Sequence, residues 1–390
     1  MGGWSSSTAS WRHKAVNCPT TYCTRFEGAI MGKLIKVGAA QISPHFFDKE
    51  GTLKKTCQYI EEGGRLGLDL LVFPETYFCG YPFWRGSVSV RRSTELMARM
   101  IHSAIRLHGD EVEQMAKVAA KANVNCVIGC NELSDQPGSL TIYNSLVVIA
   151  RDGQILGRHR KLMPTHSERL YWGLGDASDI RVFDLDIGRM GAAICYEHHM
   201  TLLRAALAIK GEEIHCALWP GWWRVEGHLG AKVGQAGAEN CDLESAIRQH
   251  AIENGVFVVS SSWYLRPEDI PSDLQDEMKY NLAVGGSCIV SPAGLFLAGP
   301  VFEEETIVYA EIDLEDRELA KAYVDGIGHY SRPDLLTLDI RDEAWTQTGP
   351  EKLQQRSEES SQAERLLETL QRYQISPAEL EEIVRASRDE

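Results

Sequence analysis

Short apolar runs and amphipathic stretches alternate along the chain from about residue 31. The runs IKVGAAQI (35–42), DLLVFPE (69–75) and NCVIGCNE (125–132) have the length and the polar boundaries of buried strands. Helical spacing between them predicts one helix that Thr52 caps and a longer helix over roughly 93–122. Alternating strands and helices of this kind are typical of α/β domains.

Hairpins interrupt this strand–helix order. YNSLVVIA and QILGRHRKL flank Arg151-Asp152-Gly153, and an Asp-Gly pair supplies the positive φ that a tight turn needs. RVFDL and RMGAAIC flank a second turn at 186–188, and a helix over 201–210 follows that ends at Gly211. HCALWP, a helix near 243–254, VFVVSSS and the hairpin GGSCIV-SPAG-LFLAG then repeat the pattern. We therefore expect two mixed sheets packed face to face, with helices outside them.

The two ends of the chain differ from this core. Residues 1–30 have no helical or strand period and lack the apolar segment of a secretory signal, so we expect a disordered extension or tag before a domain over 31–312. After residue 313 the composition turns polar, and we expect a C-terminal tail over 313–390 with an interface segment and a short amphipathic helical pair. The apolar positions of that pair are Leu366, Leu367, Leu370, Leu380, Ile383 and Val384.

Composition and charge narrow the class of partner. The 390 residues include 40 Lys+Arg and 55 Asp+Glu, a net charge of −15 that repels phosphate backbones and argues against nucleic acid. No apolar run approaches the ~20 residues that cross a bilayer, which argues against a membrane. The ten cysteines are scattered and form no CxxC pair, so a zinc ribbon has no support and a reducing, cytoplasmic setting is favoured.

Glu75 ends a buried apolar run in the sequence Phe-Pro-Glu-Thr. Desolvation there would raise the pKa of its carboxyl group toward neutrality, which is what a general base needs. The alternative is a surface glutamate that ends the strand at a proline turn, and Glu75 by itself favours that alternative.

Cys195 follows the apolar strand GAAI and precedes a turn into a helix. A side chain at such a bend points out of the sheet, near backbone N–H groups that can bind an anion. We expect the helix N-terminus to lower the pKa of the thiol. The alternatives are a buried structural thiol and, less favoured, a metal site of Cys195, His198 and His199, because adjacent histidines seldom converge on one ion.

Lys161 lies in the basic segment RHRK, after the first hairpin. A cluster of this kind is usually a solvated face, but Lys161 begins an apolar Leu-Met-Pro step that draws its amine inward. Beside two carboxylates the amine would stay protonated and could stabilise a developing oxyanion. A glutamate, a lysine and a cysteine at successive strand ends make a base, an electrostatic clamp and a nucleophile.

Several stretches within residues 31–335 resemble the nitrilase superfamily of carbon–nitrogen hydrolases. They are KVGAAQISP (36–44), LLVFPETYFCGYP (70–82), GRHRKLMPTHSERLYWG (157–173), GAAICYEHHMTLLRAALAIKGEEIHCALWPGW (191–222) and DGIGHYSRPD (325–334). Separated motifs in the right order make the resemblance specific. It implies a four-layer αββα sandwich with two mixed, six-stranded sheets, and a Glu–Lys–Cys triad that uses neither a metal nor an organic cofactor.

Carried over residue by residue, the resemblance makes Glu75 the general base, Lys161 the oxyanion-stabilising lysine and Cys195 the nucleophile. Glu168, in THSER, is similar to the second glutamate that helps position substrate and lysine. Nitrilases usually carry Trp directly after the nucleophile, and Tyr196 stands there in this chain, which leaves the preferred nitrile open. The candidate substrate-binding residues from these motifs are Tyr81, Tyr196, His198 and Trp219.

THSERLYWG and GHYSRPD are most similar to true nitrilases, so we expect a nitrile and two waters to give a carboxylic acid and ammonia. An amidase or a cyanide hydratase or dihydratase shares the triad and stays an alternative. A non-catalytic assembly protein on this fold would lack a triad member, and all three are present. A redox sensor would need a resolving thiol such as Cys216, whose strand position argues otherwise.

The helix after Cys195 carries a nearly continuous apolar stripe, which includes Leu202, Leu203 and Leu207. Monomers seldom leave large apolar patches exposed, and the resemblance implies two subunits that meet through helices of this kind. We therefore expect a dimer, which contacts by the 313–390 tail would extend into an open spiral or helical filament. A mobile tail on a plain dimer is the equal alternative.

Overall fold

The structure is a computed structural model that describes residues 34–221, 242–278 and 283–340. The extension predicted over 1–30 and the amphipathic helical pair predicted beyond residue 359 lie outside these ranges. Within them, no helix is both long enough and apolar enough to span a membrane.

Twelve strands among the described residues form two six-stranded sheets. The strands are β1 (Leu34–Gln41), β2 (Leu70–Val72), β3 (Asn125–Leu133), β4 (Ile142–Ile149), β5 (Ile155–Arg160), β6 (Val182–Leu185), β7 (Gly188–Ile194), β8 (Ile214–Trp219), β9 (Phe257–Ser262), β10 (Gly285–Val290), β11 (Phe296–Phe302) and β12 (Thr306–Asp313). The first sheet has the order β12-β1-β2-β3-β4-β5, and the second has the order β11-β10-β9-β8-β7-β6. Strands β1 to β3 and β7 to β9 run parallel, and the flanking pairs are antiparallel. Both sheets are therefore mixed, as predicted.

The predicted hairpins are confirmed. β4 and β5 pair antiparallel with Val148 opposite Gly157, and Gly153 in the turn between them has a φ of 89°, which side chains with a Cβ rarely adopt. β6 and β7 form the second hairpin, with Leu185 opposite Gly188. β10 and β11 form the third.

The described helices are α1 (Lys49–Arg65), α2 (Val90–Ser103), α3 (Asp110–Ala122), α4 (Thr201–Ile209), α5 (Asp242–Asn254) and α6 (Asp316–Tyr323). The prediction that Thr52 caps the first helix is wrong. Asp48 is the N-cap, because its carboxylate accepts the N–H of Gly51, while the hydroxyl of Thr52 donates to the carbonyl of His45.

The single long helix predicted over 93–122 is also wrong, since α2 and α3 are separate. Between them, the N–H of Ile105 donates to the carbonyl of Asn131, and the N–H of Leu133 donates to the carbonyl of Ile105. Ile105 thus pairs with β3 instead of continuing the helix, and α3 starts afresh after Gly109. Tertiary strand pairing here overrides the local helical spacing.

Apolar side chains fill the space between the two sheets, as Val37 and Val127 of the first sheet and Ala192 and Val258 of the second illustrate. A second cluster packs the first sheet against α1 and α3, and α5 packs against the second sheet. Burying an aliphatic side chain stabilises a fold by about 1.5–3 kcal/mol, so these layers hold the strand ends firmly. The αββα sandwich predicted from the sequence is confirmed.

Candidate active site

Glu75, Lys161 and Glu168 meet in one fully buried cluster. Glu75 follows β2 and Lys161 follows β5, both in the first sheet, and Glu168 lies in a short 3₁₀ turn beyond. The amine Nζ of Lys161 lies 3.0 Å from Oε1 of Glu75 and 2.8 Å from Oε2 of Glu168. Two carboxylates therefore share one ammonium, as the position of Lys161 led us to expect.

Neighbouring donors hold the two carboxylates in place. Asn144 on β4 donates to Oε1 of Glu75 at 2.6 Å, while Tyr81 donates its hydroxyl proton to Oε1 of Glu168 at 2.5 Å. Oε2 of Glu168 also accepts the N–H of Thr165 at 2.8 Å, whereas Oε2 of Glu75 is buried without a hydrogen-bond partner among the described residues. A buried oxygen left open in this way can accept a proton from a reacting group.

Cys195 stands at the end of β7 with a φ of 53°, in the left-handed region that a residue with a Cβ seldom occupies. Its Sγ and one carboxylate oxygen each of Glu75 and Glu168 lie within 4.8 Å of one another. Thr76 and His166, next to the catalytic candidates, also have positive φ, at 41° and 49°. Strained backbone of this kind is concentrated where the fold holds reactive groups.

The charges in the cluster shift its pKa values in opposite directions. Burial, opposed by the Lys161 ammonium and assisted by the Glu168 carboxylate, raises the pKa of Glu75 to about 7, which confirms the direction predicted from its position. Burial would lower the pKa of Lys161, but the carboxylates of Glu168 and Glu75 raise it, so the amine stays protonated. Burial would raise the pKa of Glu168, but Lys161 lowers it.

The expected lowering of the thiol pKa is wrong. Burial and the Glu75 carboxylate raise the pKa of Cys195 well above its usual range, against the smaller opposing effects of Lys161 and the backbone N–H of Tyr196. No long helix begins at Cys195, because residues 195–199 form a 3₁₀ turn before α4. The resting thiol is therefore protonated, and a base must take its proton before it can attack.

Glu197 is a functional candidate that the sequence reasoning missed. Its Oε2 accepts the N–H of Ile194, and its Oε1 accepts the N–H of Leu162, each at 2.7 Å. It also pairs with His159, whose Nε2 lies 2.8 Å from Oε2. Although burial would lower it, Glu197 raises the pKa of His159 to about 9. Glu197 therefore connects the segment that carries Lys161 to the segment that carries Cys195. The sequence signal for this role is its position, two residues after the predicted nucleophile.

The four predicted substrate-binding residues lie in different surroundings. Tyr81 is fully buried against Glu168, and Tyr196 is partly buried, with its ring 4.9 Å from that of His199. His198 and Trp219 stack on each other with ring centroids 4.7 Å apart. His198 is fully buried and bonds to the backbone of Cys195 and to His215. Their role in binding substrate stays a prediction.

Two groups of described side chains bring possible metal-ligand atoms within 4.8 Å of one another: Glu75 with Glu168 and Cys195, and Glu212 with His215 and His250. The alternative group of Cys195, His198 and His199 is not one of them. In the first group, the Lys161 ammonium already lies between the two carboxylates, at the distances of two hydrogen bonds.

Comparisons with known proteins agree with this geometry. The sequence model of the carbon-nitrogen hydrolase family matches residues 36–322. Nitrilase 2 from an unknown prokaryotic organism is 37% identical over 308 residues, which cover 78% of this chain and 92% of that protein. Nitrilase 2 from Arabidopsis thaliana is also 37% identical, covering 83% and 93%. A bifunctional nitrilase/nitrile hydratase from Nicotiana tabacum is 37% identical, covering 80% and 87%.

A solved structure supports the fold independently. Saccharomyces cerevisiae Nit3, a member of branch 10 of the nitrilase superfamily, superimposes with a TM-score of 0.60 at 23% identity, covering 76% of this chain and 96% of that one. The family match runs from Lys36 in β1 past the last strand of both sheets and includes the cluster around Cys195. This chain therefore belongs to the carbon–nitrogen hydrolase family.

Proposed function

We propose that the protein is a nitrilase, which hydrolyses a small nitrile to the carboxylic acid and ammonia. The observation that carries this proposal is the open oxygen of Glu75, buried beside a protonated thiol and a shared ammonium. The relatives named nitrilase, at 37% identity, support the same reaction.

Attack by Cys195 is the first step of the proposed reaction. Oε2 of Glu75 takes the thiol proton as Sγ bonds to the nitrile carbon, and one C–N π bond breaks. The proton then passes from Glu75 to the nitrogen, which gives a neutral thioimidate. A glutamate with a pKa of about 7 both accepts and returns this proton near neutrality.

Two waters complete the turnover. Glu75 removes a proton from the first water as the water oxygen bonds to the thioimidate carbon, and it passes this proton to the nitrogen. The C–N bond then breaks as the nitrogen takes the proton of the new hydroxyl group through Glu75, which releases ammonia and leaves a thioester. The second water attacks in the same way and releases the acid with the free thiol. Lys161 and the Tyr196 N–H stabilise the charge that develops in each step, and Glu168 holds Lys161 in position.

The amide is the second candidate product, because a tetrahedral intermediate that expels the thiol instead of ammonia gives an amide. A relative that is 37% identical is named a bifunctional nitrilase/nitrile hydratase, which favours testing this branch. Of the four predicted side chains, Tyr81, Tyr196 and Trp219 remain our candidates for selecting the nitrile, whereas both ring nitrogens of His198 are bonded within the protein, to Cys195 and His215.

An ammonia-release screen tests the proposal. Aliphatic, aromatic and arylaceto-nitriles, hydrogen cyanide and the matching amides are incubated with wild type, and acid and amide are quantified by chromatography. We expect ammonia and acid from at least one nitrile class. Ammonia from amides alone would replace nitrilase by amidase, and amide without ammonia would replace it by a hydratase.

We further propose self-association through α4. Leu202 and Ile209 on this helix are exposed, whereas Leu203 and Leu207 are buried in the core. A dimer would cover the exposed side, and the 313–390 tail would extend dimers into a spiral. Light scattering on the full chain and on a chain ending at residue 350 tests both ideas. A monomer in both samples would refute the dimer, and equal large oligomers would remove the role of the tail.

A reducing, cytoplasmic location is the last part of the proposal. The cysteines that the structure describes are free thiols, and all but Cys57 are buried. Activity that requires a reductant in the buffer would support this location, and full activity after prolonged oxidation would argue against it.

A further inference from the structure

A second buried ionic cluster lies on β8, α5 and the turn before β8. Oε1 of Glu212 accepts a hydrogen bond from Nε2 of His250 at 2.6 Å, and Oε2 of Glu212 lies 2.9 Å from Nδ1 of His215. Asn254 also donates to Oε1 at 2.8 Å. The side chains of Glu212, His215 and His250 are fully buried, so these bonds are made out of water.

His198 connects this cluster to the nucleophile. Nδ1 of His198 lies 2.7 Å from the carbonyl oxygen of Cys195, and Nε2 of His198 lies 3.0 Å from Nε2 of His215. A carbonyl oxygen only accepts, so Nδ1 of His198 carries a proton and donates it. An unbroken chain of hydrogen bonds thus runs from Glu212 through His215 and His198 to the backbone of Cys195.

The positions of the protons follow from these bonds. A neutral His198 places its one proton on Nδ1, toward the carbonyl oxygen of Cys195, which leaves its Nε2 as an acceptor. Burial lowers the pKa of His198 and of His215, whereas the imidazoles lower the pKa of Glu212 although its burial would raise it. These directions favour two neutral imidazoles beside the Glu212 carboxylate, so the one proton of His215 serves its contacts with both Glu212 and His198.

This series of hydrogen bonds holds the peptide group between Cys195 and Tyr196 in place. Because a peptide is planar, an anchored carbonyl oxygen also fixes the direction of the N–H on the other side. That N–H belongs to Tyr196, and it lowers the pKa of the Cys195 thiol through a hydrogen bond. The φ of 53° at Cys195 costs about 1–2 kcal/mol, so this orientation of the peptide group must be stabilised by contacts with other residues.

We propose that His198 is a positioning residue, held by His215 and Glu212, which aims the Tyr196 N–H at the reacting centre. The role of that N–H in catalysis rests on the proposed function, whereas the hold on the peptide does not. His198 thus acts through the backbone of the nucleophile, and the Glu212 cluster keeps its donating nitrogen turned toward Cys195.

Two amide substitutions at position 198 test this role, and each is the matched control of the other. In His198→Asn the amide nitrogen takes the place of Nδ1 and still donates to Cys195. In His198→Gln it takes the place of Nε2, toward His215, and the donor to Cys195 is lost. Both side chains are polar and fit the volume of the imidazole, and melting temperatures measured on both check that they fold.

We expect His198→Asn to keep kcat within about threefold of wild type and His198→Gln to lower kcat by about 10- to 100-fold, less than the 10²–10³-fold that deleting an oxyanion donor costs. KM should stay within a few-fold in both, because the N–H acts on developing charge. Equal losses, equal retention or the reverse order would overturn the proposal.

A second readout does not depend on the substrate. The rate of Cys195 alkylation by iodoacetamide, followed by mass spectrometry of its peptide, reports thiolate formation. We expect a slower rate in His198→Gln than in His198→Asn. If wild type released no ammonia from any nitrile or amide, the proposed function would fail, yet this ratio would still decide the positioning role. A stoichiometric divalent metal in the purified protein would overturn the proposal, since a metal held by Glu212, His215 and His250 would replace the hydrogen bonds through which this cluster holds His198.

Discussion

Glu75 and Glu212 are both fully buried carboxylates, but their neighbours give them opposite pKa shifts. Glu75 faces one ammonium, a second carboxylate and one amide, and its pKa rises to about 7. Glu212 faces two imidazoles and an amide, and its pKa falls. One oxygen of Glu75 is open among the described residues, whereas both oxygens of Glu212 are bonded. At equal burial, the partners decide whether a carboxylate transfers a proton or holds a structure in place.

Removing the thiol of Cys195 should give the largest effect. We expect Cys195→Ala to lower kcat by roughly 10⁴-fold or more, because it removes the attacking atom. The matched control is Cys126→Ala, which removes a buried thiol on β3, in the cluster between the first sheet and the helices α1 and α3, and should keep kcat within a few-fold. Ammonia release is measured at equal folded concentration. Comparable turnover by Cys195→Ala and wild type would exclude the thiol as nucleophile.

The same substitution in each cluster tests the comparison directly. Glu75→Gln should be nearly as inactive as Cys195→Ala, because an amide cannot take the thiol proton. Glu212→Gln should retain activity within about fivefold, because the amide still accepts from His250 and can donate to His215, at a stability cost of about 1–3 kcal/mol. Steady-state rates and thermal melts are recorded for both. Equal losses of kcat would show that Glu212 takes part in proton transfer.

Lys161→Ala should cost about 10²–10³-fold in kcat, the order expected for a main charge-stabilising donor. Its loss also leaves Glu75 and Glu168 without their shared counter-ion, so a breakage cost of about 3–5 kcal/mol in stability should accompany it. The double variant Glu75→Gln/Lys161→Ala checks the coupling. Residues that act as one unit are not additive, so a double variant slower by the full product of the two factors would contradict the triad.

The strand and hairpin pattern was sufficient to predict two mixed sheets, and the family resemblance added the four layers and the Glu–Lys–Cys triad, whose catalytic roles stay predictions. Only Cys195 follows an apolar strand directly, since Glu75 lies three residues after β2 and Lys161 follows the basic end of β5. Local signals failed where distant contacts decide. The pairing of Ile105 with β3 ended a helix that its own spacing continues. Burial, assisted by the Glu75 carboxylate, reversed the expected shift of the thiol pKa. The cluster of Glu212, His215 and His250 unites two elements that are far apart along the chain. No spacing in the sequence indicates that those side chains meet.

Asn144→Leu should give the smallest effect, a shift in pH dependence. The base works as a carboxylate, so with a Glu75 pKa of about 7 we expect kcat/KM of wild type to fall as pH drops below 7. Asn144 donates to Oε1 of Glu75 and lowers that pKa, so its removal should raise the pKa and move the acid limb to higher pH. The loss should be greatest near pH 6 and small near pH 9. Asn131→Leu is the control, since Asn131 bonds to Trp172 and Gly80, neither of which titrates here, and should lower stability without moving the limb. An acid limb that stays in place in Asn144→Leu, or moves equally in both variants, would show that a group other than Glu75 sets it.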